Sequence, residues 1–229
     1  MNGRHDLYRD MHKALHVALL DTARRLGRLD TEDPAELQRA IEQAQRLLAL
    51  LASHLRLQSD FVHTAIEARR PGGARWSLDE QRARLDAIDA LAAELATLQA
   101  VPAAERATLA QRLHRHFTAF VIAMLQHMQR EEAQHNAALC ALYCDEEVTA
   151  LHQRLWGSLP PTLRLDALAW MARALNPHEL AEVLLDLQRS APPETFGAVL
   201  AQTRECLDDT RWARLTRALG LQPVPGLVA

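Results

Sequence analysis

Apolar residues recur along most of this chain at intervals of three and four, the spacing that places them on one face of an α-helix. Ala, Leu, Arg, Glu and Gln, which favour helices, fill most segments, while β-branched residues are sparse. The pattern therefore predicts an all-α fold with almost no β-strand.

Four long helices are predicted in the first part of the chain, each with an apolar face. Their predicted ranges are 6–26, 34–69, 77–99 and 103–143. The connections between them are short, so successive helices should be neighbours that run in opposite directions. Residues 5–143 are therefore predicted to form an antiparallel four-helix bundle.

Two of these helices carry recognisable start signals. Asp33 precedes Pro34 and lies three residues before Glu36, an arrangement that caps a helix and places proline at its first position. Ser77 and Glu80 have the same capping-box spacing at the expected start of the third helix. Both signals predict that a helix begins at or just after the cap.

The pattern changes after residue 145 to shorter helices, separated by proline-containing breaks that are about sixteen residues apart. The breaks fall at residues 159–161, 176–177 and 191–193. Residues 145–222 are therefore predicted to form a smaller helical-hairpin domain. This extension could cover the end of the bundle, form a homodimer or hold a protein partner.

Composition and charge narrow the class of protein. The chain of 229 residues is 48% hydrophobic, which is ample for a core, and its net charge of −3 comes from interspersed signs without a basic run. We therefore expect no nucleic-acid partner. The polar N-terminus and the lack of a long apolar run predict neither a signal peptide nor a membrane span, and three cysteines favour a cytoplasmic location.

Polar residues recur inside the apolar stripe of each long helix. They are His12 and His16 on the first helix, His54 and Gln58 on the second, Gln81 on the third, and His127, Glu131 and His135 on the fourth. Residues four apart differ by about 40° around a helix, so each pair points the same way. Because each unsatisfied buried polar group costs about 1–3 kcal/mol, we expect a metal ion or a closed hydrogen-bond network with water to satisfy this set.

His63 is expected to lie outside this set, although it lies four residues before Glu67, the spacing of a metal-binding pair on a helix. A rotation of about 100° per residue places His63 about 180° from His54 around the helix. We therefore expect His63 at the surface or in contact with the C-terminal extension.

The segments that carry these residues resemble the hemerythrin-like, or HHE cation-binding, family, in which a four-helix bundle holds a non-haem di-iron centre. The matching segments are residues 8–15, 54–63, 78–81 and 127–132. The resemblance covers roughly residues 5–143 and is similar to a subgroup that has an additional helical tail. It implies metal-binding side chains that project into the bundle.

In this family, helices two and four each supply a histidine and a glutamate four residues later, and helices one and three each supply a histidine. Gln58 stands where the second helix would carry glutamate, and Gln81 stands where the third would carry histidine. A neutral amide offers one carbonyl oxygen and no charge, so both replacements weaken the implied site. The remaining donors are His12, His54, His127 and Glu131, with His16 and His135 as substitutes, and this set could bind one divalent metal ion.

Three hypotheses about function follow. The first is a hemerythrin-like protein that binds one or two non-haem iron ions and senses oxygen, nitric oxide or redox state or handles iron, so that a small diatomic ligand is a candidate partner. The second is a metal-free helical scaffold or regulatory interaction module, favoured by Gln58 and Gln81. The third is an enzyme, for which Tyr8 and Glu132 are the nearby acid–base candidates. The metal-binding hypothesis leads.

Overall fold

The computed structural model describes residues 6–221, and its regular elements in that range are all helical. The elements are α1 (Arg9–Gly27), α2 (Pro34–Leu57), a π-helical segment (Gln58–His63), α3 (Thr64–Arg69), α4 (Arg75–Ala100), α5 (Ala103–Leu142), α6 (Asp145–Ser158), α7 (Pro161–Ala174), α8 (Pro177–Ser190), α9 (Pro193–Cys206) and α10 (Asp209–Ala218). The prediction of an all-α chain is confirmed. None of the helices in the described range has the length and hydropathy that a transmembrane span requires.

The start of α2 follows the sequence prediction, whereas the start of α4 does not. The Asp33 carboxylate accepts hydrogen bonds from the backbone nitrogens of Ala35 (2.8 Å) and Glu36 (3.2 Å), which confirms the predicted cap. The predicted Ser77 cap is wrong, because α4 already begins at Arg75 and Ser77 is buried within it.

A glutamate from the preceding helix explains the early start of α4. The Glu67 carboxylate accepts hydrogen bonds from the backbone nitrogens of Gly72 (2.6 Å) and Ala74 (2.8 Å). Gly72 has a φ of 81°, a conformation that glycine adopts at little cost. Glu67 therefore organises the turn before α4, and these backbone hydrogen bonds lower the pKa of its carboxyl group.

The helices after α5 are short and evenly spaced. Helices α6, α7, α8 and α9 each contain 14 residues. Helices α6 to α10 begin at residues 145, 161, 177, 193 and 209, a constant interval of 16 residues. Prolines at 161, 177 and 193 occupy first helical positions, where the missing N–H costs no intrahelical hydrogen bond. The predicted breaks between these helices are confirmed.

Hydrogen bonds show that α2 and α4 are antiparallel neighbours. Gln81, near the start of α4, donates to the carbonyl oxygen of Leu55 at the end of α2 (2.6 Å). Gln99, at the end of α4, donates to the Oε1 atom of Gln38 at the start of α2 (3.3 Å). Residue numbers therefore rise along one helix as they fall along the other.

The same relationship holds between α4 and α5. The Oε2 atom of Glu80 lies 3.2 Å from the Nδ1 atom of His127, and the Oε1 atom of Glu94 lies 2.6 Å from the Nδ1 atom of His116. The residue closer to the start of α4 thus pairs with the residue closer to the end of α5. The two helices run in opposite directions.

Contacts divide the described chain into two compact units. One comprises residues 6–9 and 18–163, and the other comprises residues 10–17 and 164–221. The sequence division into residues 5–143 and 145–222 rests on pattern rather than on contacts and stays a prediction. In the first unit, a buried apolar cluster surrounds the π-helical segment and contains Leu7, Tyr8, Val62, Ile66, Ala74, Ala138, Leu139, Val148, Leu151 and Leu155.

Candidate metal centre

The π-helical segment directs His63 into the protein interior. Only 4% of the His63 surface is exposed, so the first of the two expected positions, the surface, is wrong, and contact with the C-terminal extension stays a prediction. A π-helix closes i→i+5 hydrogen bonds and therefore contains an additional residue compared with an α-helical turn. Because one residue adds no net turn, the rotation from His54 to His63 is about 100° less than in an uninterrupted α-helix. His63 therefore lies about 80° from His54 around the axis, instead of about 180°. The expectation of a surface position failed because it assumed an uninterrupted α-helix.

His63 lies beside two of the residues singled out from the sequence. One nitrogen of His63, one nitrogen of His135 and one carboxylate oxygen of Glu131 lie within 4.8 Å of one another, and all three residues are buried. Glu131 and His135 are four residues apart on α5 and so share a face. The rings of His63 and His135 meet edge to face, with centroids 5.0 Å apart. Imidazole suits iron and zinc, and the combination of two histidines with a carboxylate is a recurring iron site.

A chain of hydrogen bonds leads from His63 to the backbone of α2. The Nδ1 atom of His63 lies 3.2 Å from the Oγ atom of Ser59, which donates to the Oε1 atom of Gln81 (2.7 Å). Gln81 donates in turn to the carbonyl oxygen of Leu55 (2.6 Å). The Nε2 atom of His63 is buried and has no hydrogen-bond partner among residues 6–221.

The charge state of His63 suits metal binding. Burial lowers the pKa of the His63 imidazole, and the nearby Glu131 carboxylate only partly opposes this effect. The neutral imidazole is therefore favoured. This is the form that has a nitrogen lone pair to give to a cation.

His135 has a comparable set of neighbours. The hydroxyl of Tyr8 donates to the Oε1 atom of Gln58 (3.0 Å) and lies 2.8 Å from the Nδ1 atom of His135. Burial and the negative charge of Glu131 raise the pKa of Tyr8 well above its usual value, so the phenol stays protonated. The ring of Trp76 lies against His135, with centroids 5.1 Å apart.

His127 is placed between two carboxylates. Its Nδ1 atom lies 3.2 Å from the Oε2 atom of Glu80, and its Nε2 atom lies 3.3 Å from the Oε1 atom of Glu131. Burial alone would lower the pKa of His127, but hydrogen bonds and attraction from Glu131 and Glu80 outweigh burial and raise it. The protonated imidazole has no lone pair to give, so this arrangement favours an ion pair.

The other sequence candidates are buried, except for His16, which is half-buried. His12 is buried and His16 half-buried on α1, with ring centroids 6.5 Å apart. His54 is buried, and its Nε2 atom lies 3.5 Å from the Nε2 atom of Gln58. Ligand roles stay predictions for His12, His16, His54, His127, Gln58 and Gln81. Within the first unit, the structure places Glu131 and His135 together and adds His63, which sequence reasoning had set aside.

Comparisons with protein-family models, curated proteins and solved structures give no match to this chain. The hemerythrin-like resemblance therefore rests on the residues that carry it. The candidate metal centre rests on the geometry of three buried side chains.

Proposed function

We propose that this protein binds one divalent metal ion, non-haem iron, through His63, Glu131 and His135 inside a hemerythrin-like four-helix bundle. The observation that carries the proposal is the convergence of three buried donors within 4.8 Å of one another. Burying an ionised carboxylate is costly unless it is paired or coordinates a metal. His127 already pairs with one oxygen of Glu131, and a cation bound at this position would further offset the cost of burying the carboxylate.

Antiparallel packing supports the proposed bundle. Hydrogen bonds pair α2 with α4 and α4 with α5 in opposite directions, as an up-and-down bundle requires. The fourth helix of the bundle would be α1. Bundles of this kind form metal sites from side chains on facing helices, and here the π-helical segment and α5 supply them.

The ligand set favours one ion and a position for a small molecule. Two imidazoles and one carboxylate provide three protein ligands, which leaves coordination positions open on iron. A second cation nearby would need bridging carboxylates, and Gln58 lacks the charge of the glutamate that it resembles in position. A site of this kind suits the sensing of oxygen, nitric oxide or redox state, or the handling of iron.

A metal-free regulatory scaffold is the second candidate, and the bonding of the glutamines favours it. Gln81 accepts a hydrogen bond from Ser59 and donates one to Leu55, and Gln58 accepts one from Tyr8. Amides that both donate and accept can satisfy a polar core without a cation. In that case the C-terminal helices would bind a protein partner or form a homodimer.

Metal content distinguishes the two candidates. Protein incubated with ferrous iron without oxygen and then desalted should retain about one iron per chain. His135→Ala should retain little, because it removes a ligand, whereas His178→Ala, at an exposed position on α8, should retain as much as the wild type. Wild-type protein that retains no iron would favour the scaffold.

A further inference from the structure

We propose that Ser59 and Gln81 are positioning residues that hold the proton of His63 on Nδ1 and thereby leave its Nε2 lone pair for a metal ion. The inference rests on the metal site proposed above and names the residues that prepare one of its ligands. Neither Ser59 nor Gln81 is itself a ligand.

The backbone of α2 determines the orientation of the Gln81 amide. The carbonyl oxygen of Leu55 can only accept a hydrogen bond, so the amide atom that lies 2.6 Å from it must be the nitrogen of Gln81. The Oε1 atom of Gln81 then lies 2.7 Å from the Oγ atom of Ser59. The amide cannot be turned over without placing two acceptors in contact.

The orientation of Gln81 determines which way the Ser59 hydroxyl points. Because the Oε1 atom of Gln81 can only accept, Ser59 must donate its single proton to it. The Ser59 oxygen can then only accept in its second contact, which is with the Nδ1 atom of His63 at 3.2 Å. Nδ1 of His63 must therefore carry the proton.

The location of this proton determines whether the Nε2 atom of His63 can bind a metal ion. A neutral imidazole has one proton, so a proton on Nδ1 leaves a lone pair on Nε2. The Nε2 atom of His63 is buried without a hydrogen-bond partner in the described chain, and donor atoms of Glu131 and His135 lie within 4.8 Å of a His63 nitrogen. Histidine ligands usually donate the proton of their second nitrogen to a protein acceptor, and Ser59 is that acceptor here.

This arrangement gives Gln81 on α4 a different role from the one that the resemblance implies. By resemblance it is the site of a missing histidine ligand, but its amide prepares a ligand on another helical segment. Gln81→His would remove the group that bonds both Ser59 and Leu55. We therefore expect this substitution to weaken metal binding instead of restoring it.

The location of the proton can be measured directly in the metal-free protein. Long-range ¹H–¹⁵N spectra of ¹⁵N-histidine-labelled protein show which ring nitrogen is protonated, and His63→Gln assigns the signal. We expect the proton on Nδ1 in the wild type. Gln81→Leu leaves the Ser59 hydroxyl free to donate to Nδ1, so the proton should move to Nε2. Ser59→Ala should give a mixture, and Ser59→Thr should behave as the wild type because it keeps the hydroxyl.

A cobalt(II) titration of the same proteins tests whether the position of the proton changes the affinity for a metal ion. Loss of such a supporting hydrogen bond typically reduces metal affinity 10- to 100-fold, so we expect about that loss in Ser59→Ala and Gln81→Leu and little change in Ser59→Thr. A wild-type proton on Nε2, or an unchanged proton and affinity in folded Ser59→Ala and Gln81→Leu, would overturn the inference. A wild-type proton on Nδ1 without metal binding would support the proton assignment and refute the metal function. The wild-type spectrum alone can overturn the inference even if a variant fails to fold, because a proton on Nε2 contradicts it.

Discussion

The Nε2 atom of His127 lies 3.3 Å from the Oε1 atom of Glu131, one turn away on the same helix. Glu80, on α4, approaches the other ring nitrogen at 3.2 Å. Burial would lower the pKa of this histidine, but the two carboxylates outweigh burial and raise it. Glu131 is therefore shared between a histidine that favours its charged form and the proposed metal cluster.

This ion pair predicts a pH-dependent contribution to stability. A raised folded-state pKa means that charged His127 stabilises the fold fully below its unfolded value of about 6.5, and that this contribution is lost as pH rises through the folded pKa. His127→Gln should therefore destabilise metal-free protein most at pH 5.5 and less at pH 8.5. Urea unfolding with a chelator measures the difference. The exposed control His178→Gln should change the free energy of unfolding by less than about 0.5 kcal/mol.

Arg69 and Glu147 predict the opposite pH dependence. Arg69 donates to both carboxylate oxygens of Glu147, at 2.5 and 3.2 Å. These hydrogen bonds, together with one from the backbone nitrogen of Cys144, lower the pKa of Glu147 to about 2. Since the ordinary value is 4.5, the contribution is present above pH 4.5 and is lost as pH falls towards 2. Glu147→Gln should thus destabilise the protein at pH 7 and progressively less in acid. Urea unfolding across this pH range measures the effect, with exposed Glu205→Gln as the control. An equal change in the free energy of unfolding of both variants would contradict the assignment.

The π-helical segment predicts the effect of a one-residue deletion. Removing exposed Asp60 takes out the additional residue, so the segment can close as an α-helix with His63 still about 80° from His54 and still facing inward. Buried Val62 and Ile66 should likewise keep their directions, so the deletion variant should stay folded and retain iron. Iron content and urea unfolding measure both effects. Asp60→Ala, which keeps the length, should also bind iron normally, and a folded deletion variant that lost its iron would contradict the role given to the additional residue in directing His63.

Trp76 predicts an optical signal for metal binding. Its ring lies 5.1 Å from that of His135, so cobalt(II) bound by His135 should quench its fluorescence. Trp156, Trp170 and Trp212 also contribute to the emission, so the quenching should be partial. Trp76→Phe should remove most of the metal-dependent change while keeping the cobalt affinity within a few fold. Equal quenching in both proteins would locate the bound metal elsewhere.

The start of a helix could be predicted from the sequence where residues within one turn determine it. The cap at Asp33 and the prolines after the C-terminal breaks act within one helical turn, so the sequence contains their whole effect. Ser77 had a suitable cap spacing, but Glu67, from the preceding helix, already bonds the backbone before α4. A competitor that is distant in sequence was not visible in the local pattern.

The direction of His63 could not be predicted for a related reason. An α-helical count is correct up to Gln58, and the additional residue of the π-helical segment changes every direction after it. This segment is held by its burial in the apolar cluster and by the bond from Ser59 to Gln81 on α4. No local residue pattern indicates that residues distant in sequence stabilise this segment. The inward directions of Glu131 and His135 were predictable because α5 is uninterrupted.

The most direct test of the proposed metal centre is the anomalous diffraction of crystals loaded with cobalt(II). We expect one anomalous peak per chain, about 2.0–2.2 Å from the Nε2 atoms of His63 and His135 and from a carboxylate oxygen of Glu131. A peak bonded instead to Gln58 or Gln81, or no peak at saturating cobalt, would contradict the account.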